Sequence, residues 1–156
     1  MKISIGSDHA GVELKQQIMQ AFATKHEFIN VGTNTNDSVD YPDFAHHAVS
    51  VYKEEKCDKI ILICGSGNGI QMSANKHKDV RCALCWSKEI AELARLHNNA
   101  NALALPARFI NEKEALQIVE VFLQTPFEGG RHKKRMDKIK KKKNNLFITF
   151  FSYVFL

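Results

Sequence analysis

The run Ile60-Ile61-Leu62-Ile63 constrains this chain more than any other stretch. Consecutive branched apolar residues leave no polar face, which predicts a strand covered on both sides, as in a parallel sheet. Cys64 follows at the carboxyl end of that strand, where open α/β sheets hold their ligand crevice. Gly65, Gly67 and Gly69 then let the backbone approach a ligand closely. Ile70–Lys76 reads as a helix, so the glycine loop lies on a helix N-terminus, which favours negative charge and lowers the pKa of a nearby thiol. One turn thus offers a candidate base or nucleophile together with a cradle for an oxyanion or phosphate. An inert core cysteine beside a plain tight connection has the same local pattern, and this stretch alone does not separate the two.

The rest of the chain supplies the architecture. Ile3–Ser7 reads as a first strand, Asp8–Gly11 as a turn, and Val12–Phe22 as a helix with apolar residues at 14, 18, 19 and 22. Glu27–Gly32 is a second strand. Tyr41-Pro42-Asp43 opens the next helix, with proline and an acid in its first turn. Arg81–Trp86 is a fourth strand, Ser87 the N-cap of a helix over Lys88–His97, Ala102–Leu105 a fifth strand, and Glu112–Leu123 a further helix. This alternation predicts an α/β three-layer sandwich: a five-stranded parallel sheet, Rossmann- or flavodoxin-like, in strand order 2-1-3-4-5. In that order strands one and three are neighbours, which brings Asp8-His9 beside Cys64–Gly69.

With 156 residues the chain is about one domain, and nothing at Met1–Ile5 reads as a targeting segment. Four cysteines without a secretory context point to a reducing, cytoplasmic setting. The net charge of +5 is local: residues 131–143 hold nine of the 22 Lys and Arg against Asp137 alone, while residues 1–130 carry a net −3. A basic tail on an acidic body argues against a nucleic-acid-binding face.

Other candidates each have a plain alternative. Asp8 can simply cap the first helix, and His97-Asn98-Asn99 can be a helix end closed by a left-handed Asn. Arg108 reads as a surface residue unless a phosphate is near. Arg131 and Arg135 stand at i and i+4 on one face of a final helix, a spacing that suits a dianionic phosphate and equally a solvated basic face. Cys82 and Cys85 lie three apart in a strand, so they face opposite sides and form no redox pair. His46, His47 and His77 lack ligand partners at metal spacing, and no metal site is expected.

Taken together, Gly6-Ser7-Asp8-His9-Ala10-Gly11, Asp40–Asp43, Cys64–Gly69, Ala74-Asn75-Lys76, Arg95–Asn98 and Glu128–His132 closely resemble the B-type ribose-5-phosphate isomerase family. The galactose-6-phosphate isomerase subunits share much of the pattern. The resemblance covers about residues 1–140 in unbroken order, a single isomerase domain that includes a basic helix from about 130. It implies a metal- and cofactor-independent aldose–ketose isomerase with a flavodoxin-like fold, a homodimer or dimer of dimers with sites at the subunit interface. By position, Cys64 corresponds to the base that moves a proton between C2 and C1 through an enediolate. His97 corresponds to the acid that opens the furanose ring, with Asp8 assisting. His9, Arg108, Arg131 and Arg135 correspond to phosphate ligands, and Gly65, Gly67, Asn68, Gly69 and Asn98 hold the sugar oxygens. Ser66 stands where many members have Thr, and its hydroxyl can move a proton between O1 and O2. Isomerisation of a hexose 6-phosphate and a non-catalytic phosphate-binding module are the alternatives.

Residues 141–156 depart from the family pattern. Lys140–Lys143 is followed by Leu146–Leu156, an apolar run too short to span a bilayer, which needs about 20 residues. Contact with an anionic membrane surface, packing on a dimer, and an extension without a role all remain open for it.

Overall fold

The computed structural model describes residues 1–139; the expectations for residues 140–156 fall outside the described residues. The strands are β1 (Lys2–Ser7), β2 (Glu27–Asn30), β3 (Lys59–Cys64), β4 (Cys82–Leu84) and β5 (Ala102–Pro106). The helices are α1 (Val12–Phe22), α2 (Tyr41–Glu54), α3 (Asn68–Ala74), α4 (Lys88–Asn98), α5 (Glu112–Gln124) and α6 (Gly130–Asp137). All strand pairings are parallel.

Alternate strand residues feed two cores, as a period of two requires. Ile3, Ile5, Ile61, Ile63, Leu103 and Leu105 pack with α1, α4 and α5. Ile60, Leu62, Cys64, Ala102 and Ala104 pack with α2 and α3. Ile60 through Ile63 are fully buried, each burial stabilising by about 1.5–3 kcal/mol. Cys82 and Cys85 fall into opposite cores, as their spacing predicts, and burial pushes the Cys85 thiol up to about 12.

The strand order is β2-β1-β3-β5-β4, so the expected order of the last two strands is reversed. The reason is burial. β5 is buried at every position and takes the interior slot beside β3, whereas β4 is three residues long, half-exposed, and lies at the edge. The chain steps outward from β3 to β4 and back inward to β5. A right-handed crossover then lays α4 on the face opposite α2 and α3. That reversal decides which face of the sheet α4 covers.

Local signals explain the element ends. Pro42 sits in the first turn of α2. The Ser87 hydroxyl accepts from Ile90 N–H, and Asn111 with Glu114 forms a reciprocal capping box on α5. α3 starts at Asn68, two residues before the expected Ile70, because Gly67 in the left-handed region (φ 73°) turns the chain straight into the helix.

Candidate active site

The sheet divides the candidate residues into two groups. The first is built on the carboxyl ends of β1, β3 and β5. Asp8 N–H donates to the Ile63 carbonyl at 3.2 Å, which ties the turn after β1 to the residue before Cys64. The neighbouring-strand expectation for Asp8-His9 and Cys64 therefore holds. Cys64 is 3% exposed, on the α2/α3 side of the sheet just short of the α3 N-terminus. Ala107 N–H and Arg108 N–H donate to the Cys64 and Gly65 carbonyls, both at 3.0 Å, and the Arg108 side chain lies across Gly65.

Asp8 does cap the turn, its Oδ1 accepting from Ala10 N–H at 3.0 Å. It is also buried, and that burial raises its pKa above the ordinary carboxylate value, opposed by the Ala10 hydrogen bond, His9 and Arg108. A buried capping carboxyl whose proton affinity is raised, standing beside a cysteine, can take or give a proton. His9 Nδ1 accepts from Val39 N–H at 3.2 Å, which assigns its proton to Nε2 and leaves that N–H free to donate to an anion. Ser66 and Asn68 are exposed at the rim, with Asn68 N–H reaching the Ser66 hydroxyl at 3.4 Å.

The glycines have separate reasons. A Cβ on Gly67 would meet Leu84 Cδ1 at 2.3 Å, on top of its positive φ. A Cβ on Gly69 would meet the Tyr41 ring at 2.4 Å. Tyr41 thus covers the loop from the start of α2, a candidate site residue that sequence reasoning missed; the Tyr41-Pro42 helix start was visible, but not the ring's contact 28 positions further on.

The second group stands elsewhere. α4 runs back along the sheet, so His97 and Asn98 lie where β5 begins, against the far end from Cys64. Cys64 pairs with Pro106 and Ile60 with Ala102, a separation of roughly 13 Å along the strand. Here the Asn99 left-handed cap (φ 47°) ends α4 as expected. Arg95 is buried, its Nε donating to the Thr125 carbonyl at 3.1 Å and its Nη1 to Asn99 Oδ1 and the Ala100 carbonyl. It fastens the end of α4 to the segment leading into α6. Arg131 and Arg135 lie exposed on α6, which packs on α4.

Two further residues join this group without having been anticipated. The His97 and His132 rings are stacked, centroids 4.0 Å apart and 1° from parallel. Both Nε2 atoms lie 3.7–3.8 Å from Glu128 Oε2. These three side chains hold donor atoms within 4.8 Å of one another, but parallel rings send their in-plane lone pairs side by side and not to a common ion. His46 Nδ1 and His77 Nε2 meet at 2.8 Å in a ring-to-ring hydrogen bond, with no third donor at metal spacing among the described residues. A groove of about 860 Å³ beside the second group is lined by Asn98, Arg81 and Met136, not by Cys64.

Residues 3–139 match the ribose/galactose isomerase family. The chain belongs to the ribose/galactose isomerase family. Within that family it is 43% identical over 140 residues to ribose-5-phosphate isomerase B of Mycolicibacterium paratuberculosis, covering 88% of each chain. It is similar to the structure of Clostridium thermocellum ribose-5-phosphate isomerase B, with TM-score 0.87, 45% identity, and coverage of 90% of this chain and 95% of that one. A family member from Mycoplasma genitalium, solved with bound ribulose 5-phosphate, aligns with TM-score 0.83 and 46% identity over 88% of this chain and 93% of its own. The five-stranded parallel architecture is the family's own.

Proposed function

We propose that this protein interconverts ribose 5-phosphate and ribulose 5-phosphate, with residues 1–140 as one isomerase domain. The reading rests on one observation: Cys64 stands at the end of a central strand between the Asp8-His9 turn and Arg108, in a chain 46% identical to a relative solved with ribulose 5-phosphate.

The chemistry follows from these groups. His97 gives a proton to the ring oxygen as its bond to C1 breaks, and Asp8 takes the proton from the O1 hydroxyl. The Cys64 thiolate then removes the C2 proton, forming the enediolate, and returns it to C1, while Ser66 moves a proton between O1 and O2. Backbone N–H groups at the Gly65–Gly69 turn face the developing oxyanion, and each such donor is worth about 3–4 kcal/mol of barrier. His9, Arg108, Arg131 and Arg135 hold the phosphate, whose binding energy orients the reacting carbons; Asn98 holds a sugar hydroxyl.

The same scheme requires a homodimer. Cys64 and His97 of one chain lie at opposite ends of the sheet, and α4 is on the opposite face from α2 and α3. A two-fold partner supplying its own His97, Asn98, Arg131 and Arg135 completes the open rim around Cys64 and shields the enediolate from water. Four free thiols suit a cytoplasmic enzyme, and no described helix is long and apolar enough to cross a membrane.

The test is turnover of ribose 5-phosphate by the purified protein beside Cys64→Ala. Loss of turnover by at least ~10³-fold with substrate still bound is the expected result. A wild-type protein inactive on ribose 5-phosphate but active on a hexose 6-phosphate would overturn the substrate assignment, and an unaffected Cys64→Ala would overturn the base.

A further inference from the structure

We infer that His132 is a positioning residue for His97, fixing the plane of its imidazole. This deepens the reading of His97 as ring-opening acid and rests on it. His97 stands at a helix end with its side chain 36% exposed, where an unsupported imidazole swings about two torsions. His132 is 3% exposed and therefore fixed by its surroundings. The flat stack at 4.0 Å and 1° transfers that fixity to His97.

Hydrogen bonding sets the tautomer. Arg131 Nε donates to His132 Nε2 at 3.3 Å, so that nitrogen is an acceptor and the ring proton lies on Nδ1. A neutral His132 is what the stack needs, since two protonated rings at this distance repel while His97 must carry a proton to act as an acid. The surroundings agree: burial, His97, Arg131 and Arg135 all push the His132 pKa down, and only Glu128 opposes them. Glu128 Oε2, 3.8 Å from His97 Nε2, offers the counter-charge to a protonated His97. Arg131 enters by setting the His132 tautomer, and the support that His132 gives is to the ring-opening acid alone.

The experiment compares two substrates. Ribose 5-phosphate is mostly a closed furanose, whereas 4-deoxyribose 5-phosphate has no 4-hydroxyl, cannot close that ring, and bypasses the step assigned to His97. His132→Ala is expected to lower kcat on ribose 5-phosphate ~10–100-fold with KM changed less than about two-fold, and to leave the 4-deoxy substrate at wild-type rate. His132→Phe restores a flat face and is expected to recover activity to within about three-fold, which also serves if the alanine variant folds poorly. His97→Asn is measured alongside. If it slows both substrates alike, the ring-opening role falls and this inference with it. If His97→Asn spares the 4-deoxy substrate but the His132 variants slow both alike, or raise KM alone, the inference is overturned while the role of His97 stands.

Discussion

The ring of Tyr41 lies so closely over Gly69 that a Cβ on the glycine would stand 2.4 Å from Tyr41 Cζ and 2.6 Å from Cε2. Gly69 is the second residue of α3 and its φ is ordinary, so alanine suits its backbone. Only the aromatic ring forbids it. Gly69→Ala is therefore expected to displace Tyr41 from the glycine loop, raise KM for ribose 5-phosphate about ten-fold, and cost ~1–3 kcal/mol by denaturant unfolding. Gly69→Ala combined with Tyr41→Ala should recover most of the stability and none of the KM, because the clash disappears but the cover is not restored.

Asp8 illustrates a candidate site residue held at a cost to the fold. Its native pKa is raised, so the native state binds this proton more readily than the unfolded chain does. Stability attributable to Asp8 is then greatest at low pH and falls as pH rises from about 3.9 through the native pKa. Above its native pKa the carboxylate is charged and buried. Asp8→Asn keeps the Oδ1 that accepts from Ala10 N–H and removes the charge. We expect its melting temperature at pH 7 to exceed wild type by ~2–4 °C, with the gain shrinking toward pH 4, and kcat to drop by ~10²-fold or more. Thermal melts across that pH range check the sign directly.

What could be read from the sequence, and what could not, divides along local and long-range physics. The β3 run, the Val12–Phe22 helix, the Ser87 cap and the Pro42 helix start rest on period, propensity and capping within a few residues, and all are present. Strand order is not local. Ala102–Leu105 reads as a strand from its own residues, but its claim on the interior slot depends on how short and half-exposed β4 is beside it. Misjudging those two slots hides the face on which α4 lies, whereas the separation of His97 from Cys64 along the strands follows from α4 running back to the start of β5. Tyr41, Glu128 and His132 escaped for the same reason, since each matters through a contact made across the fold. Asn68 was assigned to the loop because three alternating glycines suppress helix propensity up to the point where Gly67 turns the chain.

Arg95 anchors the second group and is open to a separate test. Its guanidinium meets the Thr125 carbonyl, Asn99 Oδ1 and the Ala100 carbonyl, and stacks 5.8 Å from the Phe122 ring, with no carboxylate among these partners. Arg95→Leu keeps the apolar packing and strands those oxygens. Unfolding free energy is expected to fall by ~2–5 kcal/mol. Arg95→Lys should recover only part of this, because an ammonium cannot span the same fork of acceptors.

The separation of Cys64 and His97 within one chain makes the proposed composite site of a homodimer testable without a structure of the assembly. Cys64→Ala and His97→Asn each leave one half of every site defective, so each homodimer should be inactive on ribose 5-phosphate. In a mixed dimer the two lesions fall together: one site carries both defects, and the other has an intact Cys64 from one subunit and an intact His97 from its partner. Unfolding and refolding the two variants together at equal concentration yields half mixed dimers, each with one of its two sites restored. Recovered activity should therefore approach about a quarter of wild type. Two residues serving the same site within one chain would give no recovery at any ratio, because every subunit would still lack one of them. Titrating the ratio of the variants separates this from slow chemical reversal, since the recovery must peak at an equal mixture and vanish toward either pure variant.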